Sequence, residues 1–177
     1  LRLDVALSFG DWSFVDDANG TYKDAAGVPL GEYSYALKDL KVGDMPQTSY
    51  VAGVTLTPMS GLKIQALYNM YADNYSDWSP GSREIGDDGT ADTDQVWMAP
   101  SYSKLDVHIN YVLPVGIAGT QMTAFAHIFN ALDAVYVQDA VDNSNYNSWG
   151  TKEHKAWNAE VFLGAQRYFN AGLKVNF

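Results

Sequence analysis

Strict alternation of apolar and polar residues is the sequence feature that most constrains how this chain folds. Leu105, Val107 and Ile109, for example, alternate with Asp106 and His108. Because successive side chains of a β-strand point to opposite faces, such a run predicts a strand with one apolar face. Six runs of this kind predict strands near residues 1–17, 47–57, 61–75, 102–113, 120–130 and 168–177.

Seven charged residues in the alternating stretches of these runs lie on the face opposite to the apolar one. They are Arg2, Asp4, Lys63, Asp73, Lys104, Asp106 and Lys174. The same face carries Gln, Asn, Thr, His and Tyr, which suit a water-filled or plug-filled lumen. The apolar faces extend over about 9 to 11 residues, the length at which a tilted strand crosses a bilayer.

The connections between the runs alternate in length. Short turns are predicted at residues 59–60 and 115–119, whereas long connections cover 18–46, 76–101 and 131–167. Loops longer than about 15 residues are uncommon in compact soluble domains. Short turns at one end and long loops at the other are typical of bacterial outer-membrane barrels. The sequence therefore predicts an all-β fold, in the form of an antiparallel transmembrane β-barrel segment.

Composition argues against several classes of function. The 177 residues carry a net charge of −10, which disfavours contacts with nucleic-acid phosphates. The chain has no cysteine, which excludes disulfides and thiolate metal sites. No apolar run reaches the roughly 18 residues of a transmembrane helix. No nucleophile elbow or zinc-protease motif occurs, so we predict neither an enzyme nor a cofactor.

The chain begins at Leu1, directly within a predicted strand. Backbone groups in hydrocarbon must all be paired, so an open sheet of six strands cannot span a bilayer alone. We therefore expect the remaining barrel strands to come from further residues of the same protein or from another chain.

The last predicted strand resembles the closing strand of an outer-membrane protein. Its apolar positions end on the terminal residue and are Phe169, Leu173, Val175 and Phe177. In that class such an end is similar to the signal that the barrel-assembly machinery reads. The alternative is an ordinary amphipathic terminal strand.

Two further motifs resemble those of TonB-dependent receptors. Residues 130–136 read Asn-Ala-Leu-Asp-Ala-Val-Tyr, similar to the Asn-Leu-x-Asp-x-x-Tyr element after the penultimate strand of that family. Gly164 and Arg167 are spaced as in the family's Gly-x-Pro-Arg before the last strand. The chain departs from the pattern at Ala131, usually Leu, and at Gln166, usually Pro.

This resemblance implies an identity and a location for the chain. Residues 1–177 would be the C-terminal, Bacteroidetes-like part of a receptor barrel of about 22 strands that surrounds a plug. The location implied is the outer membrane of a Gram-negative bacterium. The long loops would then be extracellular and the short turns periplasmic, and the plug domain would lie outside this chain.

The resemblance also implies active uptake of a scarce nutrient, such as a siderophore, a vitamin or an oligosaccharide, with energy supplied by TonB. The implied partners are the remaining barrel and plug segments, the TonB complex, the barrel-assembly machinery, outer-membrane lipid and a surface lipoprotein. The sequence does not identify the nutrient. The alternatives are a passive porin or adhesin barrel and a soluble carbohydrate-binding β-sandwich.

Aromatic residues in the long connections are the candidates for substrate contact, because flat rings stack on sugars and on aromatic siderophores. They are Tyr33, Tyr35, Trp78, Trp97, Tyr136, Tyr146, Trp149 and Trp157. The alternative is that these rings pack one loop against another or lie at the membrane interface.

The remaining candidate functional residues are two histidines and four carboxylates. His108 and His127 fall on the polar face, where they could contact a plug or ligand, make a structural hydrogen bond or share a metal ion. Asp87, Asp88, Asp92 and Asp94 are weak candidates for calcium, which prefers oxygen ligands, although their spacing does not match an EF-hand. The alternative is a solvated acidic loop.

Overall fold

The computed structural model describes residues 1–114, 119–147 and 152–177, and it is all-β. The eleven strands are β1 Arg2–Phe9, β2 Ala18–Lys23, β3 Pro29–Tyr35, β4 Pro46–Met59, β5 Leu62–Tyr75, β6 Met98–Ala99, β7 Tyr102–Val112, β8 Gln121–Phe129, β9 Val137–Asp142, β10 Ala159–Leu163 and β11 Tyr168–Asn176. The helical pieces are α1 Ser144–Asn147 and two 3-10 turns, Pro80–Arg83 and Ala156–Asn158. None of these helices is long and apolar enough to cross a membrane.

Six long strands form one antiparallel sheet, which we call the main sheet. Its order is β1-β4-β5-β7-β8-β11, and the short β6 pairs with the end of β5. Five of the six predicted runs contain one of these strands, the sixth lies within β4, and the all-β antiparallel prediction is confirmed. Across the described ranges, β1 and β11 are the two edges of the main sheet and do not pair with each other.

The apolar runs of neighbouring strands lie in register. One row of directly paired residues crosses all six strands and consists of Leu3, Val54, Ala66, Val107, Ile128 and Phe169. A second row consists of Leu56, Ile64, Ile109, Ala126 and Ala171. Because directly opposite residues of an antiparallel pair share a face, the six runs combine into one continuous apolar face.

Burial at the centre of the main sheet is reversed relative to a water-soluble protein. On the apolar face of β4, Val54 is 40% exposed and Leu56 is 44% exposed. On the opposite, polar face, Thr55 is 6% exposed and Asp106 is 8% exposed. A large exposed apolar surface of this kind requires a cover, either lipid or protein.

The ends of the main sheet differ, as the connection lengths predict. A short turn joins β4 to β5, whereas the long connections 10–45, 76–101 and 130–167 all leave from the opposite end. Residues 115–118 of the short turn predicted between β7 and β8 lie outside the described residues. The β4–β5 turn needs glycine, because Gly61 has a φ of +80° and a Cβ there would lie 2.7 Å from the Val112 carbonyl oxygen. We call the three long connections together the loop layer.

One prediction about boundaries was wrong. The first strand, expected over 1–17, ends at Phe9, because Gly10 breaks the alternation and Trp12 and Phe14 move to the opposite parity. The long connections also contain two hairpins, β2–β3 and β9–β10, which the sequence reasoning did not single out.

The loop layer has a small core of its own. Leu37, Leu40, Trp78 and Val96 are all buried and pack together. Phe14 meets the Trp78 ring edge-on at 5.6 Å between ring centroids. The core joins the first long connection to the second, so these two segments form one packed body.

Candidate functional site

The loop layer carries the negative charge of the protein. It contains 18 of the 21 acidic residues but 7 of the 11 basic ones. An open pocket of about 310 Å³ in the layer is lined by Glu84, Asp92 and Asp94, with Lys152 at its rim. A surface of this charge favours cationic or neutral polar ligands over anions.

A buried arginine anchors the second long connection. Arg83 is fully buried, and its Nη1 lies 2.9 Å from Asp92 Oδ1 and donates to the Asp94 carbonyl oxygen at 2.8 Å. Its guanidinium lies 5.8 Å from the centre of the Trp78 ring. Burial lowers the pKa of Arg83 from its ordinary value, against the opposing effect of Asp92. The ion pair therefore fixes the acidic segment onto the core of the loop layer.

A histidine then links the second long connection to the third. His154 Nδ1 lies 2.7 Å from Asp142 Oδ2, and His154 Nε2 lies 3.1 Å from Asp92 Oδ2. All three side chains are at most 7% exposed. The two ring nitrogens of His154 therefore contact one carboxylate each and bridge the two acidic side chains. We call Arg83, Asp92, His154, Asp142 and Ser144 the loop-layer network.

The pKa of Asp142 reflects these partners. Burial acts to raise it, but hydrogen bonds from the Ser144 hydroxyl, the Ser144 amide and His154 outweigh burial and lower the pKa. The Trp97 amide also donates to Asp142 Oδ2 at 3.2 Å. Asp142 is therefore held as a carboxylate that ties three segments together.

The Ser–His–Asp combination in this network is not arranged as a catalytic triad. Ser144 and Asp142 both approach Nδ1 of His154, at 2.8 and 2.7 Å, while Nε2 faces Asp92. A triad requires the serine and the aspartate on different ring nitrogens. The arrangement suits a structural role. Sequence reasoning missed His154 and Arg83, because neither lies in a periodic run.

The predicted substrate-contact aromatics have three different environments. Trp78 is buried in the core of the loop layer, and Trp97 is half-buried beneath the network. Tyr146 and Trp157 are 76% and 69% exposed, with Lys155 Nζ 5.0 Å from the Trp157 ring. Trp149 lies outside the described residues. Tyr146 and Trp157 are therefore the candidates with open ring surface.

Tyr33 and Tyr35 belong to a tyrosine cluster on the β2–β3 hairpin. Tyr22, which the sequence reasoning did not single out, lies 4.7 Å from Tyr33 between ring centroids, and Tyr33 lies 4.9 Å from Tyr35. The Tyr22 and Tyr35 hydroxyls share a hydrogen bond of 3.0 Å. That hydrogen bond, with a smaller effect of burial, raises the pKa of Tyr22 to about 12.

The four acidic candidates do not converge on one point. Asp92 pairs with Arg83 and His154, and Asp88 accepts from the amide and hydroxyl of Thr90 at 2.9 and 2.6 Å. Asp87 and Asp94 are exposed. Within the described ranges, no three histidine or acidic side chains are arranged to hold a metal ion. The four carboxylates therefore do not form a common calcium site.

The two receptor-like motifs meet at the end of β8. Arg167 donates its amide to Asp133 Oδ1 at 3.0 Å, and the Gly164 amide donates to the Tyr136 carbonyl oxygen at 3.0 Å. Asn130, 2% exposed and in the left-handed region with a φ of 48°, bonds to Ala134 and Ala165. These contacts hold the start of β11 against the end of β8, and we call them the motif junction.

The Tyr136 ring occupies space that only glycine leaves free. A Cβ on Gly164 would lie 2.0 Å from ring atoms of Tyr136. The same ring stacks on Tyr102 at 4.3 Å between centroids, with 18° between the planes. Tyr136 is therefore engaged on both sides, which favours packing over ligand contact.

The two histidines of the polar face are direct partners. His108 pairs with His127 in the β7–β8 register, and their Nδ1 atoms are 2.9 Å apart. Phe125 stacks on His127 at 5.3 Å, and Phe129 meets His108 edge-on at 5.5 Å. The alternation of the sequence predicts both histidines on this face. It did not lead us to single out the rings of Phe125 and Phe129 beside them. Phe125 and Phe129 have the same parity as His127, and that was the available signal.

The terminal apolar residues lie on the edge strand of the main sheet. Phe169, Leu173 and Val175 pair with Ile128, Ala124 and Met122 of β8. The side chain of Phe177 is fully exposed. No family model, curated protein sequence or solved structure matches the chain.

Proposed function

We propose that this chain is part of the wall of an outer-membrane β-barrel that actively imports a scarce nutrient. The observation that carries the proposal is the continuous apolar face of the main sheet, which is exposed and, on the central strand β4, is more exposed than the polar face behind it. Lipid covers such a face without any further protein layer. Water and a plug would contact the polar side.

The soluble β-sandwich accounts for this burial less well. A sandwich buries its apolar face against a second sheet about 10 Å away. In the described part of the chain, the other sheets are the two-stranded hairpins β2–β3 and β9–β10. Both hairpins belong to the long connections at one end, so neither supplies a layer over six strands.

Active transport, rather than passive diffusion, is proposed from the two receptor-like motifs. The residues of the two motifs contact one another at the motif junction. This contact explains the spacing of the residues in both motifs. The arrangement supports the resemblance to TonB-dependent receptors. The proposed partners are the remaining barrel strands, a plug, the TonB complex, the barrel-assembly machinery, outer-membrane lipid and a surface lipoprotein.

The loop layer is the proposed site of nutrient capture on the cell surface. The loop layer has a packed core and a buried ionic network. These hold its exposed aromatic and acidic side chains in fixed positions. Elsewhere in the loop layer than the acid-rich pocket, which offers hydrogen bonding, the exposed rings of Tyr146 and Trp157 offer stacking. These features favour a neutral or cationic nutrient with a flat face, such as a sugar.

Fractionation and uptake assays test the two halves of the proposal separately. The protein should resist salt and carbonate washing and should be released by detergent; release by salt alone would rule out the barrel. Deleting the gene should abolish growth on one limiting nutrient, and deleting TonB should abolish it equally. Growth that needs this protein but not TonB would instead support the passive porin.

A further inference from the structure

We propose that His108 and His127 form a chelating site for a divalent transition metal, with copper(II) preferred. The site does not depend on the proposed transport function. It rests on the direct pairing of the two residues in β7 and β8 and on the separation of their ring nitrogens.

The backbone fixes this pair. Five polar residues form one row across the polar face, namely Thr55, Gln65, His108, His127 and Asn170. The histidines are central in that row, and the pairing of β7 with β8 holds them opposite each other. A site built on paired strands is more precisely positioned than one built on loops.

The separation of the nitrogens matches adjacent ligands on one metal ion. Metal–nitrogen bonds of about 2.0 Å at right angles place two nitrogens about 2.8 Å apart, whereas tetrahedral angles place them about 3.3 Å apart. The observed distance between the Nδ1 atoms is 2.9 Å. Both nitrogens are therefore within reach of one metal ion, and copper(II) is preferred because a given nitrogen site binds it more tightly than the other divalent first-row metals. Turning the two rings towards a common point suffices, with each neutral imidazole in the tautomer that carries its proton on Nε2 and offers Nδ1 to the metal.

The surroundings leave the site open on the side of the polar face. Both histidines are half-buried, and Phe125 and Phe129 contact the rings from the sides. Gln65 and Asn170 flank the pair and carry amide oxygens as further donors. Two protein nitrogens leave coordination positions for water or for a chelator that arrives with the metal. The site therefore suits an exchangeable ion or a metal chelate.

Copper(II) titration of the detergent-purified protein, followed by electron paramagnetic resonance, tests the site. The expected result is one copper per chain with hyperfine splitting from two nitrogens. His108→Ala and His127→Ala should each weaken binding by more than about tenfold, because even partners of ligand histidines contribute 10- to 100-fold. His154→Ala is the matched control and should leave the signal unchanged. Zinc should bind more weakly than copper.

Three outcomes would overturn the proposal. They are the absence of a two-nitrogen signal in the unmodified protein, the same copper affinity in His108→Ala, and loss of the signal in His154→Ala alone. If the unmodified protein gives no two-nitrogen signal, His108 and His127 are joined only by a hydrogen bond. The spectrum of the unmodified protein decides the matter even where a variant fails to fold.

Discussion

Asn130 shows how one residue fixes a strand end. Its side chain bonds to Ala134 and Ala165 while its own backbone adopts a left-handed conformation. Asparagine is one of few residues that tolerates this conformation and can also supply both a donor and an acceptor. The motif junction therefore depends on this residue for two separate reasons.

Replacing Asn130 separates the two contributions. Asn130→Ala should lower the free energy of unfolding by about 2–3 kcal/mol, because it removes buried hydrogen bonds and keeps an unfavourable φ. Asn130→Gly should cost less, since glycine accepts the conformation. Denaturant unfolding followed by tryptophan fluorescence measures both. Asn145→Ala, at an exposed position, is the control, and equal effects at 130 and 145 would refute the role.

Asp142 gives the loop-layer network a dependence on pH. Its folded pKa lies below its ordinary value of 3.8, so its contribution to stability is present above that value. The contribution is lost as the pH falls through the folded pKa. Hydrogen exchange at the Trp97 and Ser144 amides, which both donate to Asp142, should therefore accelerate below about pH 3.8.

The variant Asp142→Asn checks this assignment. It should accelerate exchange at both amides at neutral pH, because it leaves His154 with one carboxylate partner instead of two. The difference from the unmodified protein should then vanish in acid. Asp87→Asn, an exposed acid in the same layer, should change neither amide. Slow exchange in Asp142→Asn at neutral pH would contradict the account.

At the scale of elements, β8 and β11 are held together beyond their ladder by Tyr136 and Gly164. Gly164→Ala should destabilise the protein by about 1–3 kcal/mol, the usual cost of overpacking. Tyr136→Ala removes the ring that the new methyl group would meet, so the double variant should cost less than the sum of the two. A double-mutant cycle measures this coupling, and strict additivity would show that the ring and the glycine do not interact.

The faces of the strands predict opposite tolerance to charge. Val107→Arg places a cation on the apolar face and should destabilise the protein in a bilayer by about 2–4 kcal/mol. Asn110→Arg, on the polar face of the same strand, should have little effect. Folding yields and unfolding in lipid vesicles report the difference. Equal tolerance of the two substitutions would show that β7 has no lipid-facing side.

Sequence periodicity predicted the main sheet well and the loop layer poorly. Alternation identifies strands such as β7, because burial of one face constrains every second residue. It does not reveal β2 and β3, whose pairing depends on tyrosine contacts across a hairpin. The partners of His154 come from residues 12 and 62 positions away, so no local pattern predicts them.

At the scale of the whole molecule, the main sheet and the loop layer divide the chemistry between them. The loop layer holds most of the acids together with a buried ionic network, while the main sheet presents apolar residues outward and polar residues on its more buried side. In the described residues the main sheet is open, and we propose that further strands close it. In this proposal lipid is the cover that the apolar face requires.

Single-cysteine labelling tests that claim most directly, because the chain has no cysteine of its own. Spin labels at positions 107 and 104 of β7 occupy opposite faces of the main sheet, three residues apart. In bilayers, the label that replaces Val107 should be accessible to oxygen and shielded from a water-soluble nickel reagent. The label that replaces Lys104 should show the reverse, and equal exposure of the two labels to water would contradict the account.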